Sequence, residues 1–197
     1  MASLEKVAEL GATVRQQGGE VGMERAERWS AVADGGSGLE EFVRTHFPRV
    51  EAVILDFYHA AEYLSDLAKA WAGADEPSVE ALGQEWCHQL KHAGGQTLLA
   101  TLQGLDLQGR SAAARESYHA TVRYVENHVH RLDYPQYRAK GWQIGSGPVE
   151  SAGKRVVGQR LKGAGMRWGE EGAEAVCRLR ALFLSESGPW EAFWSHN

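Results

Sequence analysis

The chain has 197 residues, 43% of them hydrophobic and 24% charged, with a formal net charge of −5 at pH 7. That length suits one domain of ordinary size, and the composition excludes a disordered or collagen-like chain. No apolar run approaches the ~20 residues that span a bilayer, and the opening Met-Ala-Ser-Leu-Glu-Lys carries no signal-peptide pattern. Two cysteines, Cys87 and Cys177, are too few for a disulfide framework. The expectation is an intracellular, cytoplasmic protein with no membrane partner.

In chain order, Leu4, Val7, Leu10 and Val14 predict an amphipathic helix over 4–17, stopped by Gly18-Gly19. Residues 28–33 read as a buried strand ending at Asp34-Gly-Gly-Ser-Gly38. Residues 39–47 read as a helix stopped by Pro48, and 52–55 as a second strand ending at Asp56. Strand, helix and strand with short joints imply parallel strands joined by a crossover. Beyond Asp56 the period becomes helical. One stripe holds Phe57, Ala61, Leu64, Ala68 and Trp71, and a second holds Val79, Leu82, Trp86 and Leu90. A third helix from about Ser111 carries Tyr118, Val122, Val125, Val129 and Leu132 on one side. Residues 134–147 read as an ordered loop, with a helix restarting at Pro148. A last helix over 171–185 is expected to bury Val176, Leu179, Leu182 and Phe183.

Charge is unevenly spread. Residues 138–180 hold nine Lys and Arg against four Asp and Glu, whereas the rest of the chain holds twelve against twenty-two. Such a split suits either a basic patch that meets a polyanion or a solvated helix face. Lys154, Arg155, Arg160, Lys162 and Arg167 with Trp168 fit phosphate contact and base stacking.

Asp34 and Asp56 each follow a predicted strand, where open α/β sheets place ligands and catalytic groups. Asp34 also suits an Asx turn into the glycine run. That run is no phosphate loop, because it lacks the Gly-Lys-Ser/Thr ending. Asp56 and His59, three apart at a helix start, suit either a joint ligand or hydrogen-bonded pair, or an N-cap with a helix histidine. Glu150 stands in the first turn of the helix after Gly145-Ser-Gly-Pro-Val-Glu-Ser151, where the helix dipole favours a carboxylate and Lys154 offers an ion pair. The rigid Gly/Pro approach gives Glu150 a fixed direction. Cys87, His88 and His92 raise a zinc reading, but no second cysteine is near. His128 and His130 face different sides of a helix and are poor joint ligands.

Several segments together resemble bacterial insertion-sequence transposases of the Kra-type group, related to the Mutator-like DDE transposases. They are Trp29-Ser-Ala-Val-Ala-Asp-Gly-Gly-Ser-Gly-Leu-Glu-Glu-Phe-Val, Val53-Ile-Leu-Asp-Phe-Tyr-His-Ala-Ala-Glu-Tyr-Leu64, Tyr134-Pro-Gln-Tyr-Arg, Ile144-Gly-Ser-Gly-Pro-Val-Glu-Ser151 and Arg160-Leu-Lys-Gly-Ala-Gly-Met-Arg-Trp168. The resemblance implies an RNase H-like fold in which 1–56 is the remnant of the catalytic core and Asp34 ends strand four. Strand five follows, then a helical insertion over 57–133, with the glutamate loop and basic helices over 134–197. It implies that Asp34 and Glu150 are catalytic and hold metal, and that Asp56 and His59 match an Asp-x-x-His signature. The cofactor it implies is Mg²⁺ or Mn²⁺, with transposon ends and target DNA as partners in the nucleoid. Two divalent ions ~4 Å apart would clamp the attacking and leaving oxygens, and such hard cations want converging carboxylates.

By that pattern the first three strands and the first catalytic Asp are expected to be missing. Upstream of Asp34 stand only Glu5, Glu9, Glu20, Glu24 and Glu27, none ending a strand-like run. The expectation is therefore the C-terminal part of a transposase, a truncated copy inactive alone unless another transposase chain completes it. The alternatives are a non-catalytic DNA-binding remnant and a regulator that pairs with an intact transposase.

Overall fold

The computed structural model describes residues 4–184 and 189–195. The chain divides after Ser146 into two compact units. Unit 1 contains α1 (Leu4–Glu20), β1 (Trp29–Ala33), α2 (Leu39–His46), β2 (Val50–Leu55), α3 (Phe57–Ala72), α4 (Glu76–Gln103), α5 (Ala112–His128) and α6 (Tyr134–Ala139). Unit 2 contains α7 (Gly147–Gly153), α8 (Gln159–Leu161), α9 (Glu170–Leu184) and α10 (Pro189–Ser195). The class is α/β, mostly helical, with a small parallel sheet.

The sheet consists of β1 and β2 alone among the described residues, paired in parallel from Ser30 opposite Ala52 to Ala33 opposite Leu55. A parallel pair cannot be closed by a tight turn, and α2 supplies the crossover. β2 lies deep, with Val53, Ile54 and Leu55 at most 2% exposed, whereas β1 buries only Trp29. Behind β2 sits the core. α3 contributes Leu64 and Leu67, α4 Trp86, Leu90, Leu98 and Leu102, and α5 Tyr118 and Val125. Leu132 and Tyr134 close it.

Four features depart from the sequence reading. α1 runs through Gly18 and Gly19 to Glu20, just before Gly22, whose φ of 85° is a left-handed conformation that ends helices. Leu10 and Val14 of its apolar stripe are exposed, not buried. Residues 134–139 are helical rather than loop, because Asp133 caps the Gln136 amide and Pro135 suits a first turn. α9 buries none of its stripe: Leu179 and Phe183 are exposed, and Val176 and Leu182 are half-buried.

α4 is interrupted. Gly94 takes φ 84° and ψ 172°, and the Gly95 amide turns to the Leu132 carbonyl at 3.0 Å. The break lets the chain at Leu132 pass close to the α4 backbone.

Candidate functional site

The C-terminal ends of β1 and β2 carry the two aspartates. Asp34 is exposed, and its Oδ1 accepts the Gly36 amide at 2.9 Å, an Asx turn that starts the glycine loop. Asp56 is buried and both carboxylate oxygens are occupied. Oδ1 caps α3 through the Tyr58 amide at 2.9 Å, and Oδ2 accepts the Ser146 amide at 3.2 Å. The Phe57 amide donates to the Ile144 carbonyl at 2.8 Å, so the start of α3 is fastened twice to 144–146. Asp56 is thus a cap and a clasp, and His59 turns away from it. The His59 Nδ1 lies 3.4 Å from Glu62 Oε2.

Beneath both strand ends lies a residue that no motif announced. Arg131, 2% exposed, donates from Nε to the Val53 carbonyl at 3.2 Å. Its Nη2 reaches the carbonyls of Ala33 at 3.0 Å and Asp34 at 3.2 Å. Tyr134 adds a hydroxyl bond to the Leu55 carbonyl at 2.9 Å. A planar guanidinium is the one side chain that can span several acceptors with a rigid fork. The available signal was a lone cation between Val129 and Leu132 on a core stripe, which burial obliges to find partners.

Aromatic rings gather beside the Asp34 loop. Tyr63 and Tyr124 stack with centroids 3.9 Å apart and planes 12° apart. His59 stands edge-on to both at 6.1 Å, and His128 lies 4.6 Å from Tyr124. A Cβ on Gly35 would meet Tyr124 Cε2 at 2.9 Å and its hydroxyl at 3.0 Å, so glycine is needed for this approach. Burial, with Tyr63 and the carboxylates of Asp34 and Asp56 nearby, pushes the Tyr124 phenol far above its usual range despite Arg131. Its hydroxyl is buried without a hydrogen-bond partner among the described residues.

In unit 2, Glu150 lies exposed in α7. Lys154–Gly158 follow as a π-helical turn, an uncommon widening frequent at functional sites. Arg180 of α9 holds that turn: its Nε donates to the carbonyls of Arg155 and Val156, each at 3.1 Å, and its Nη2 reaches Gln159 Oε1 at 3.2 Å. Arg180 is therefore a brace, while Lys154, Arg155, Arg160, Lys162, Arg167 and Trp168 are all exposed.

His128 and His130 serve separate partners. His128 Nδ1 meets the Tyr124 carbonyl at 2.8 Å and His130 Nε2 meets Glu40 Oε2 at 3.0 Å. His88 and His92 stack with centroids 4.3 Å apart, and the Cys87 thiol is pushed up by burial.

As to metal, no group of three His, Cys, Asp or Glu side chains placed to share an ion occurs among the described residues. In unit 1 the Asp34 carboxylate is available as a hard donor, whereas Asp56 is spent on backbone amides. One carboxylate does not make a two-metal site. Comparison with protein families, characterised proteins and solved structures finds no match to this chain.

Proposed function

We propose that the chain is the C-terminal part of a DDE transposase of the Kra-type insertion-sequence group, acting on DNA and inactive alone. The observation that carries the reading is Asp34 at the exposed C-terminal end of β1, beside the parallel β2 and ahead of a helical segment. An RNase H-like core would present its second carboxylate at this place. Glu150 would be the final glutamate, and the exposed cations from Lys154 to Arg167 with Trp168 would hold DNA backbone and base. Mg²⁺ or Mn²⁺ bound between converging carboxylates would supply Lewis-acid stabilisation of the transferring phosphoryl group. Asp34 would be one ligand, and unit 1 by itself offers too few.

The second reading, dependence on a partner chain, is favoured by the outer edge of β1. That edge pairs with no strand among the described residues, and an unpaired edge is a template for another strand. Beside it runs a groove of about 480 Å³ lined by Val14, Trp29, Ala31, Phe42 and Phe47. The Trp29 indole N–H is buried there without an acceptor among the described residues.

The test is binding of the whole chain to duplex DNA across a salt series. Five phosphate contacts predict a loss of about 500-fold in affinity between 50 and 200 mM salt. Alanine at Arg155, Arg160 or Lys162 should each lower the slope by about one, and Glu150→Ala should not. The chain alone should leave the DNA uncut in Mg²⁺. Failure to bind duplex at low salt, or a slope indifferent to these cations, overturns the reading.

A further inference from the structure

A groove of about 530 Å³ opens between α3 and α5, lined by Tyr63, Glu116, His119, Arg123, Tyr124 and Asn127. Its aromatic wall is the Tyr63–Tyr124 stack, half-buried at Tyr63, and Tyr124 ends against Gly35 in the loop that Asp34 opens. The groove therefore runs up to the candidate site. Arg123 and Asn127 are exposed, and their side chains form no hydrogen bond or ion pair among the described residues. They present a guanidinium and an amide beside the ring wall. Aromatic faces flanked by a cation and an amide suit a planar heterocycle attached to an anion. One cation against one carboxylate, Glu116, is too little charge to hold a duplex backbone by itself. The favoured occupant is a single base with its phosphate directed toward Arg123.

We propose that this groove seats an unpaired nucleotide of the DNA strand that reaches Asp34. The inference rests on the reading of the chain as a DNA-acting transposase part, and names the strand form that its unit 1 recognises. A base held in a duplex is stacked on its neighbours and cannot enter, so the groove discriminates single strands from duplex.

The experiment measures fluorescence anisotropy of a fluorescein-labelled 16-nucleotide single strand, and of the duplex of the same sequence, with the whole chain. Tyr63→Leu keeps an apolar contact for Tyr124 and removes the stacking face, and Arg123→Gln alters an exposed side chain with little risk to folding. Tyr63→Leu should weaken single-strand binding roughly 5- to 150-fold, the range for losing one stacked base, Arg123→Gln should also weaken it, and both should leave duplex affinity unchanged. Unchanged single-strand affinity in Arg123→Gln and in folded Tyr63→Leu overturns this inference while duplex binding stands. A parent chain that binds neither form overturns the wider reading and this one with it.

Discussion

The Arg131 guanidinium donates to the main-chain carbonyl of Asp34 at 3.2 Å, across 97 positions of the chain. The same side chain holds the carbonyls of Ala33 and Val53, so the turn after α5 grips the end of β1 and the body of β2 together. Asp34 owes its position to this grip as much as to its own turn. Arg131→Met should remove all three bonds, leaving the Ala33 carbonyl only its bond from the Asp56 amide, at a cost of about 3 kcal/mol. Arg131→Lys should recover little, since an ammonium cannot reproduce the fork. Urea unfolding followed by tryptophan fluorescence measures both, and a cost below 1 kcal/mol for Met would remove Arg131 from this role.

Asp56 joins the start of α3 to residue 146 through its two oxygens. Removal of an N-cap alone costs about 1 kcal/mol, and the lost clasp adds to it, so Asp56→Ala should destabilise by roughly 2 kcal/mol. Asp56→Asn keeps one acceptor for the Tyr58 amide and should fall between. Amide hydrogen exchange at Ser146 reports the clasp separately from the cap. Protection of Ser146 unchanged in the alanine variant would mean that the loop is held by something else.

The strands were legible because short apolar runs end at Asp34-Gly and at Asp56, residues that break a strand and start a turn or a helix. The stripes of α3, α4 and α5 were legible for the same reason that they are buried: Leu64, Trp86, Leu90 and Val125 recur at helical spacing and meet in one core. Periodicity reports a face, but not whether anything covers it. Leu10, Val14, Leu179 and Phe183 keep the spacing of core residues and are exposed. The site was half legible. Asp34 announces itself by its place after a strand. Arg131, Tyr63 and Tyr124 come from distant segments, and only the fold brings them to it. For Asp56 the local rule sufficed, since an Asp at a helix start is ordinarily a cap and here is one.

The break in α4 depends on a second close approach. A Cβ at Gly95 would stand 2.5 Å from Leu132 Cβ and 3.0 Å from its Cδ1. Gly95→Ala should therefore cost about 2–3 kcal/mol by overpacking a buried contact. In a Leu132→Ala background the colliding Cδ1 is gone but the Cβ remains, and the penalty should shrink without vanishing. A double-mutant cycle by urea unfolding gives the coupling, and strict additivity of the two changes would show that the collision is relieved elsewhere.

Glu40 links the crossover helix α2 to the residue before Arg131. Burial by itself would raise its pKa, but hydrogen bonds from His130 at 3.0 Å and from Arg44 at 2.8 and 3.0 Å outweigh that and hold it below the usual carboxylate range. A carboxylate depressed in the folded state adds stability above its unfolded pKa, about 4.3, and that stability is lost as pH falls through the folded value. Because the pair is largely solvated, screening limits the gain to about 0.5 kcal/mol. The stability gap between the parent chain and Glu40→Gln should close as pH falls below about 4. Urea midpoints taken across that range decide it. A gap that persists at the acid end, where both states carry a protonated Glu40, would assign the effect to packing of the side chain rather than to its charge.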